Sequence, residues 1–215
     1  MSVLSRAKST IQALEDGWYD WTRGVDTSGD PMVRPRNDVV GDSSDGKAYL
    51  PAALRNVRST LRLLPFDDPA QYTFIDMGSG KGRCVFLAAT LPFRKVVGVE
   101  HSAGLHEAAT ANLRTLRCRA QERERVELIH GDAGSYKFPA GNIVLFLFNP
   151  FGPEVMGRVL KNLERAMQEE ERHVVAVLLW PELSEMVANV RGMQLVHHSR
   201  RVDIFAAGVC AGRYL

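Results

Sequence analysis

An acidic residue and three alternating glycines, Asp76-Met77-Gly78-Ser79-Gly80-Lys81-Gly82, follow the apolar run Tyr72-Thr73-Phe74-Ile75 and precede a helical pattern. Glycine at 78 and 80 permits positive φ and lets a ligand touch the backbone where a Cβ would collide. Amide groups at the start of the next helix then face an anionic group such as a carboxylate or phosphate. The spacing disfavours two common loops. A P-loop needs Gly-Lys followed by Ser or Thr and a glycine five positions earlier, whereas Gly82 follows Lys81 and Ile75 stands at the earlier place. A dinucleotide fingerprint puts its third glycine one residue later, where this chain has Arg83. What remains is acidic-x-Gly-x-Gly-x-Gly, with a ligand-free glycine turn as the bland alternative.

Further polar residues fall at the ends of later strand patterns. Glu100 lies 24 residues beyond Asp76, at the end of the second strand pattern. A carboxylate there can accept hydrogen bonds from both ribose hydroxyls of an adenosine, a device that dinucleotide enzymes share. In Gly131-Asp132-Ala133, Asp132 can accept from an adenine amino group and the Ala133 amide can donate to the ring; the alternative is that Asp132 caps a turn. The stretch Phe148-Asn149-Pro150-Phe151-Gly152-Pro153-Glu154-Val155 follows the fourth strand pattern, and a turn-forming role is the alternative for Asn149.

These motifs together carry a resemblance. The glycine loop resembles motif I of the class I S-adenosylmethionine methyltransferases. With Val99-Glu100 and the asparagine-aromatic stretch ending in Phe151-Gly152-Pro153-Glu154-Val155, the chain resembles the non-SET histone lysine methyltransferases of the telomeric-silencing-disruptor type. It is similar also to their relatives, including mitochondrial seven-strand lysine methyltransferases and small bacterial proteins. The likeness runs from Tyr49 to Val159. It implies a methyltransferase using S-adenosyl-L-methionine and releasing S-adenosyl-L-homocysteine. Asp76, Gly78, Ser79, Gly80, Glu100, His101, Asp132, Ala133 and Asn149 become cofactor contacts, Asn149 and Tyr49 catalytic residues, and Pro150 and Phe151 substrate contacts. Tyr49-Leu50-Pro51 resembles the part that closes over the methionine end. Two departures separate the chain from its models: Phe151-Gly152 stands where many amine methyltransferases have proline and an aromatic, and the long basic segments of the histone enzymes have no counterpart.

The implied reaction is methylation of nitrogen on a protein lysine or another amine. Asn149 would orient the amine, and Tyr49 and Phe151 would wall it with apolar surface that disfavours its charged form. A hydroxyl acceptor would instead need a base such as His101 or His130. Three other readings stay open: a small-molecule methyltransferase with Arg23 to Gly46 as its lid, a NAD-dependent oxidoreductase, and a non-catalytic adenosine-binding module.

The elements that must hold these residues are legible as a strand-helix alternation. Strands are expected at Tyr72 to Ile75, Lys95 to Glu100, Val126 to His130, Asn142 to Phe148 and His173 to Trp180, with Gln194 to His197 and Val202 to Val209 as a closing antiparallel pair. Helices are expected from Gly82 to Leu91, after Ser102, from Pro153 and from Glu182 to Val190. Such an order predicts an α/β, Rossmann-like, seven-stranded and mainly parallel sheet with helices on both faces. Residues 71–215 would form this core. Residues 1–70 would be a helical and loop extension, with Met1 to Trp21 helical and Leu50, Leu54, Val57, Leu61 and Leu64 as a stripe packed on the core; Arg55, Arg58 and Arg62 share another face.

With 215 residues, 45% of them hydrophobic, the chain fits one globular unit. A net charge of +2 gives no strong nucleic-acid signal. Apolar runs such as Val174 to Trp180 fall far short of the ~20 residues that span a bilayer. Cys84, Cys118 and Cys210 are odd in number and lack metal-ligand spacing, which points to a reducing, cytoplasmic setting without metal. The expected partner is the methyl acceptor, protein or small molecule, and no membrane.

Overall fold

The computed structural model describes residues 3–29 and 49–208, with residues 3–9 as backbone only. Most of the expected lid segment, Cys210 and the expected end of the last strand at Val209 lie outside the described residues. Seven strands, β1 (Tyr72–Met77), β2 (Lys95–Glu100), β3 (Val126–His130), β4 (Asn142–Leu147), β5 (Val174–Leu179), β6 (Gln194–His198) and β7 (Val202–Ala207), form one sheet in the order β3-β2-β1-β4-β5-β7-β6. The first five are parallel, and β7 runs antiparallel between β5 and β6. The fold expected from the sequence holds, including the closing pair. The order reverses between β1 and β4, so the carboxyl ends of these two strands open the crevice where open α/β sheets bind ligands.

The central strands β1 and β5 are buried along their whole length, which is why they read as continuous apolar runs. Helices α1 (Val3–Arg23), α2 (Leu54–Leu61) and α3 (Arg83–Ala88) lie on one face, where Tyr19, Val57, Leu61 and Phe86 share a cluster with Phe74, Phe146 and Val177. On the other face α6 (Pro153–Glu169) turns Met156, Val159, Leu160 and Leu163 toward Ile75, Leu145 and Ala176. Helix α7 (Ser184–Ala188) packs beside it through Val187. Helix α4 (Ala103–Thr115) follows β2, capped by Ser102 Oγ accepting from the Leu105 amide at 3.4 Å. A short α5 (Ala120–Glu124), not expected from the sequence, precedes β3.

Three local expectations change. Helix α3 is shorter than the expected Gly82 to Leu91, because the glycine turn runs to Gly82 and the chain leaves the helix before Pro92. Helix α7 is likewise shorter than Glu182 to Val190. Leu50 does not join the stripe of α2; it is 72% exposed, since the helix begins only at Leu54 and Pro51 keeps the preceding backbone extended. Among the described residues no helix is long and apolar enough to cross a membrane.

Candidate functional site

At the end of β1 the chain turns through Gly78, Gly80 and Gly82, all with positive φ (81°, 54° and 91°). The Gly78 and Ser79 amides donate to the Val99 carbonyl of β2 at 2.8 and 3.1 Å, which draws the loop over the carboxyl edge of the sheet. Glu100 fastens it from beyond: Oε2 accepts from the Gly80 amide (2.7 Å) and Oε1 from the Ser102 amide (2.8 Å). Each carboxylate oxygen has a second lone pair, so both can take another donor.

Asp76 is 3% exposed, and its carboxylate has no hydrogen-bond partner among the described residues. Burial, and then the charge of Glu100, push its carboxyl up to about 8. A carboxylate so placed is favourable only with a proton or a cation beside it. The buried Ser79 Oγ in the same loop also lacks a partner among the described residues.

The two glycines are crowded by the protein itself. A Cβ at Gly78 would collide with Pro150, and one at Gly80 with the ring of Tyr49. Tyr49 thus lies on the glycine loop, its hydroxyl donating to the Thr27 carbonyl at 2.8 Å, and burial pushes its phenol well above the ordinary value. Asn149 adopts φ 41°, a left-handed conformation that asparagine tolerates better than most residues, and its side-chain amide has no hydrogen-bond partner among the described residues. Phe151 is buried in the cluster beneath α6, so its ring supports the loop from below.

On the β2–β3 side the capping alternative for Asp132 is realised: Oδ1 accepts from the Gly134 amide (2.9 Å), and Oδ2 from Ser135 Oγ (3.0 Å) and Arg158 (2.7 Å). Partial burial opposes the charge, but these donors hold the carboxyl below its usual value. Ala133 follows, buried, in the turn Ala133–Ser135. His101 is exposed; its carbonyl accepts from His130 Nε2 at 3.0 Å, and the His130 ring stacks on His106. Among the described residues no cluster fit to hold a metal ion is present.

Sequence reasoning missed the assembly that ties the N-terminal segment to the loop. Arg83, which in the sequence only breaks a dinucleotide pattern, is 2% exposed. Its guanidinium pairs with Asp16 of α1 (3.0 Å) and donates to Thr27 Oγ1 (2.9 Å), the Ala52 carbonyl (3.1 Å) and Ser28 Oγ (3.2 Å). Asp20, one turn after Asp16, accepts from both amides and both hydroxyls of Thr27 and Ser28 at 2.6 to 2.9 Å. Lys81 reaches Asp26 (3.1 Å) and the Ser28 carbonyl (2.9 Å), while Asn112 of α4 bridges Asp26 and the Lys81 carbonyl. The available signal was Asp16-x-x-x-Asp20, two carboxylates on one face of a helix that otherwise reads as amphipathic.

This fold is the seven-strand fold of the class I methyltransferases. A putative RNA methyltransferase from Pyrococcus horikoshii shares it with TM-score 0.53, at 16% identity over 74% of this chain and 85% of its own. The glycopeptide N-methyltransferase MtfA, in a structure with S-adenosyl-L-methionine, gives 0.52 at 11% identity, covering 78% and 88%. The mitomycin 7-O-methyltransferase MmcR gives 0.51 at 13% identity, covering 73% and 55%. No protein-family pattern matches the chain, and no curated protein is similar to it in sequence. The likeness is one of fold.

Two outcomes follow. The folded pKa of Asp76 is raised from 3.8 to about 8, so its contribution to stability is fully present below the unfolded value and is lost as pH rises through the folded one. Thermal melts of the ligand-free protein from pH 4 to 9 should therefore fall across this window, and Asp76→Asn should flatten the fall; parallel curves would contradict the assignment. Asp16→Ala leaves the buried Arg83 without its counter-charge and should lower the unfolding free energy by about 3–5 kcal/mol in urea titration.

Proposed function

We propose that the protein is an S-adenosylmethionine-dependent methyltransferase that methylates nitrogen on a protein lysine or another amine. The observation that carries the cofactor assignment is the unpartnered, buried Asp76 carboxylate beside the positive-φ glycine loop and Glu100, at the β1/β4 reversal of the sheet. These residues fit the cofactor's chemistry: Asp76 suits a cationic amino-acid end, and Glu100 has lone pairs for ribose hydroxyls while it holds Gly80 and Ser102. Ser79 Oγ needs a partner, and Ala133 and Asp132 border the adenine side, with His101 at the rim. The cofactor, when bound, supplies a methyl group already activated on a sulfonium, with a neutral thioether left behind.

The protein's part is alignment. Asn149, with its side-chain amide unengaged in a left-handed turn after β4, accepts hydrogens of the incoming amine and fixes its lone pair. Pro150 seats this turn against Gly78, and Phe151 anchors it to the core. Tyr49 covers the loop as an apolar wall, and an amine beside it reaches its neutral, nucleophilic form more readily than its ordinary pKa of ~10.4 allows in water. Holding two reactants in this way lowers a barrier by ~7–11 kcal/mol at best. Residues 1–70 form the cofactor cover and substrate side, and residues 71–215 the catalytic core. The chain works in the cytoplasm, where Cys84 and Cys118 stay free thiols.

Isothermal titration tests the cofactor. S-adenosyl-L-homocysteine should bind and NAD should not; tighter NAD binding would refute the reading. Glu100→Gln should weaken binding by ~1.5–3 kcal/mol, the scale of hydrogen bonds to a charged group. Glu100→Ala should weaken it more, since it releases both the Gly80 and the Ser102 amides, whereas the glutamine oxygen can still accept from one of them. Incubation with labelled S-adenosylmethionine and cell extract would identify the acceptor. In single turnover with that acceptor, Asn149→Ala should slow transfer by one or more orders of magnitude with cofactor affinity nearly intact. A wild-type rate would reduce Asn149 to a turn-former.

A further inference from the structure

Among the described residues, two residues other than glycine take positive φ: Asn149 (41°) and Trp180 (59°). Their places in the sheet correspond. Strands β4 and β5 run parallel with Leu147 opposite Leu178 as their last pair, and each left-handed residue lies two positions beyond that pair. Adjacent strands are ~4.8 Å apart, so the two turns stand side by side on the carboxyl edge of the sheet, the edge that carries the glycine loop. Asparagine tolerates this conformation, whereas a bulky residue in it is an outlier. Strained residues of this kind persist where the surroundings hold them, and they gather at ligand sites.

The surroundings of Trp180 do hold it. Its amide donates to the Arg201 carbonyl at 2.7 Å, and its own carbonyl accepts from the Glu182 amide at 2.8 Å. The strain is not kept in order to bury the indole, since Trp180 remains 37% exposed. Arg201, in the turn between β6 and β7, lays its guanidinium over the ring, 5.6 Å from the centroid. That guanidinium has no hydrogen-bond or ion-pair partner among the described residues. Asp203, two residues on, is taken: it is buried and engaged by Ser184 Oγ (2.5 Å) and His198 Nδ1 (2.7 Å). The exposed acids nearest to Trp180 along the chain, Glu182 and Glu185, follow it on the α7 side, while Arg200 adds a second exposed cation to the turn of Arg201. A planar cation fixed on an aromatic face keeps its donor edge for a carboxylate or phosphate, which it grips as a fork.

On the methyltransferase reading above, we infer that Trp180 and Arg201 are the specificity residues of the acceptor site. The indole is a wall beside Asn149, and the guanidinium takes an anionic group, carboxylate or phosphate, carried next to the amine that is methylated. The acceptor is thereby narrowed from any amine to one with an acidic neighbour.

For each variant, titration with S-adenosyl-L-homocysteine and transfer from labelled S-adenosylmethionine into cell extract are measured side by side. Arg201→Gln, at an exposed position, should bind the homocysteine product as the wild type does and label the acceptor about tenfold more slowly, the scale of one charge-assisted hydrogen bond. Arg201→Lys, which keeps the charge and loses the fork, should fall between. Trp180→Phe should slow transfer less than Trp180→Gly. A residue that merely shaped the turn would give the reverse order, because glycine suits a φ of 59° best. At constant ionic strength, inorganic phosphate and glutarate should inhibit the wild type and spare Arg201→Gln. Inhibition by phosphate alone would assign a phosphate-bearing acceptor, and inhibition by glutarate alone a carboxylate-bearing one. A wild type that labels nothing would refute the methyltransferase reading and this inference with it. Normal wild-type labelling with an unchanged rate in Arg201→Gln or Trp180→Gly, or with no response to either anion, would overturn the inference alone.

Discussion

A guanidinium taken almost wholly out of water imposes the strongest single demand on this structure. Arg83 follows the glycine loop directly, and its charge is favourable only because Asp16, Thr27, Ser28 and the Ala52 carbonyl converge on it. Those four come from α1, the turn after it and the segment before α2. Satisfying one side chain thus fixes α1 and the turn after it against the core, and with them Thr27, the acceptor for the hydroxyl of Tyr49. The position of Tyr49 over Gly80 is the last link in a chain of polar contacts that starts in α1.

The sheet contributes differently, through apolar burial without directional bonds. Phe74 and Phe146 on one face and Ile75 and Leu145 on the other leave β1 and β4 no freedom to shift register, because a one-residue slip would exchange the faces of both strands. Asp76 is the exception at the end of this run. It occupies a position where the alternation calls for an apolar residue, and its carboxylate stays there without a hydrogen bond from the described residues. Local sequence and global fold conflict at that residue, as they do at sites kept for a ligand.

The succession of strands along the chain was legible because Phe74, Val97, Leu145 and Val177 each sit in short apolar runs bounded by turn residues, whereas their order in the sheet was not read from it. The glycine loop was legible because only glycine suits its backbone. The Arg83 network was not. Its members are 31 to 67 residues apart in sequence, and a buried arginine reads like any surface arginine until the carboxylate beside it is placed. Leu50 misleads for a related reason: periodicity extends a helical stripe past its true start unless the bias of the residue before a proline is set against it. Asp132 shows an intermediate case, in which both the turn and the ligand-facing role demand the same residue and the structure displays the turn.

The crowding at the glycine loop bears on how this chain can change over evolutionary time. Gly78 and Gly80 are pressed by Pro150 and Tyr49, side chains of the same molecule, and both hold positive φ. Drift to alanine at either place would strain the apoprotein before any small molecule entered. A descendant under no selection to bind a ligand would therefore still carry both glycines, while Asp76, buried without a hydrogen-bond partner among the described residues, would be the first of the loop's residues to be replaced.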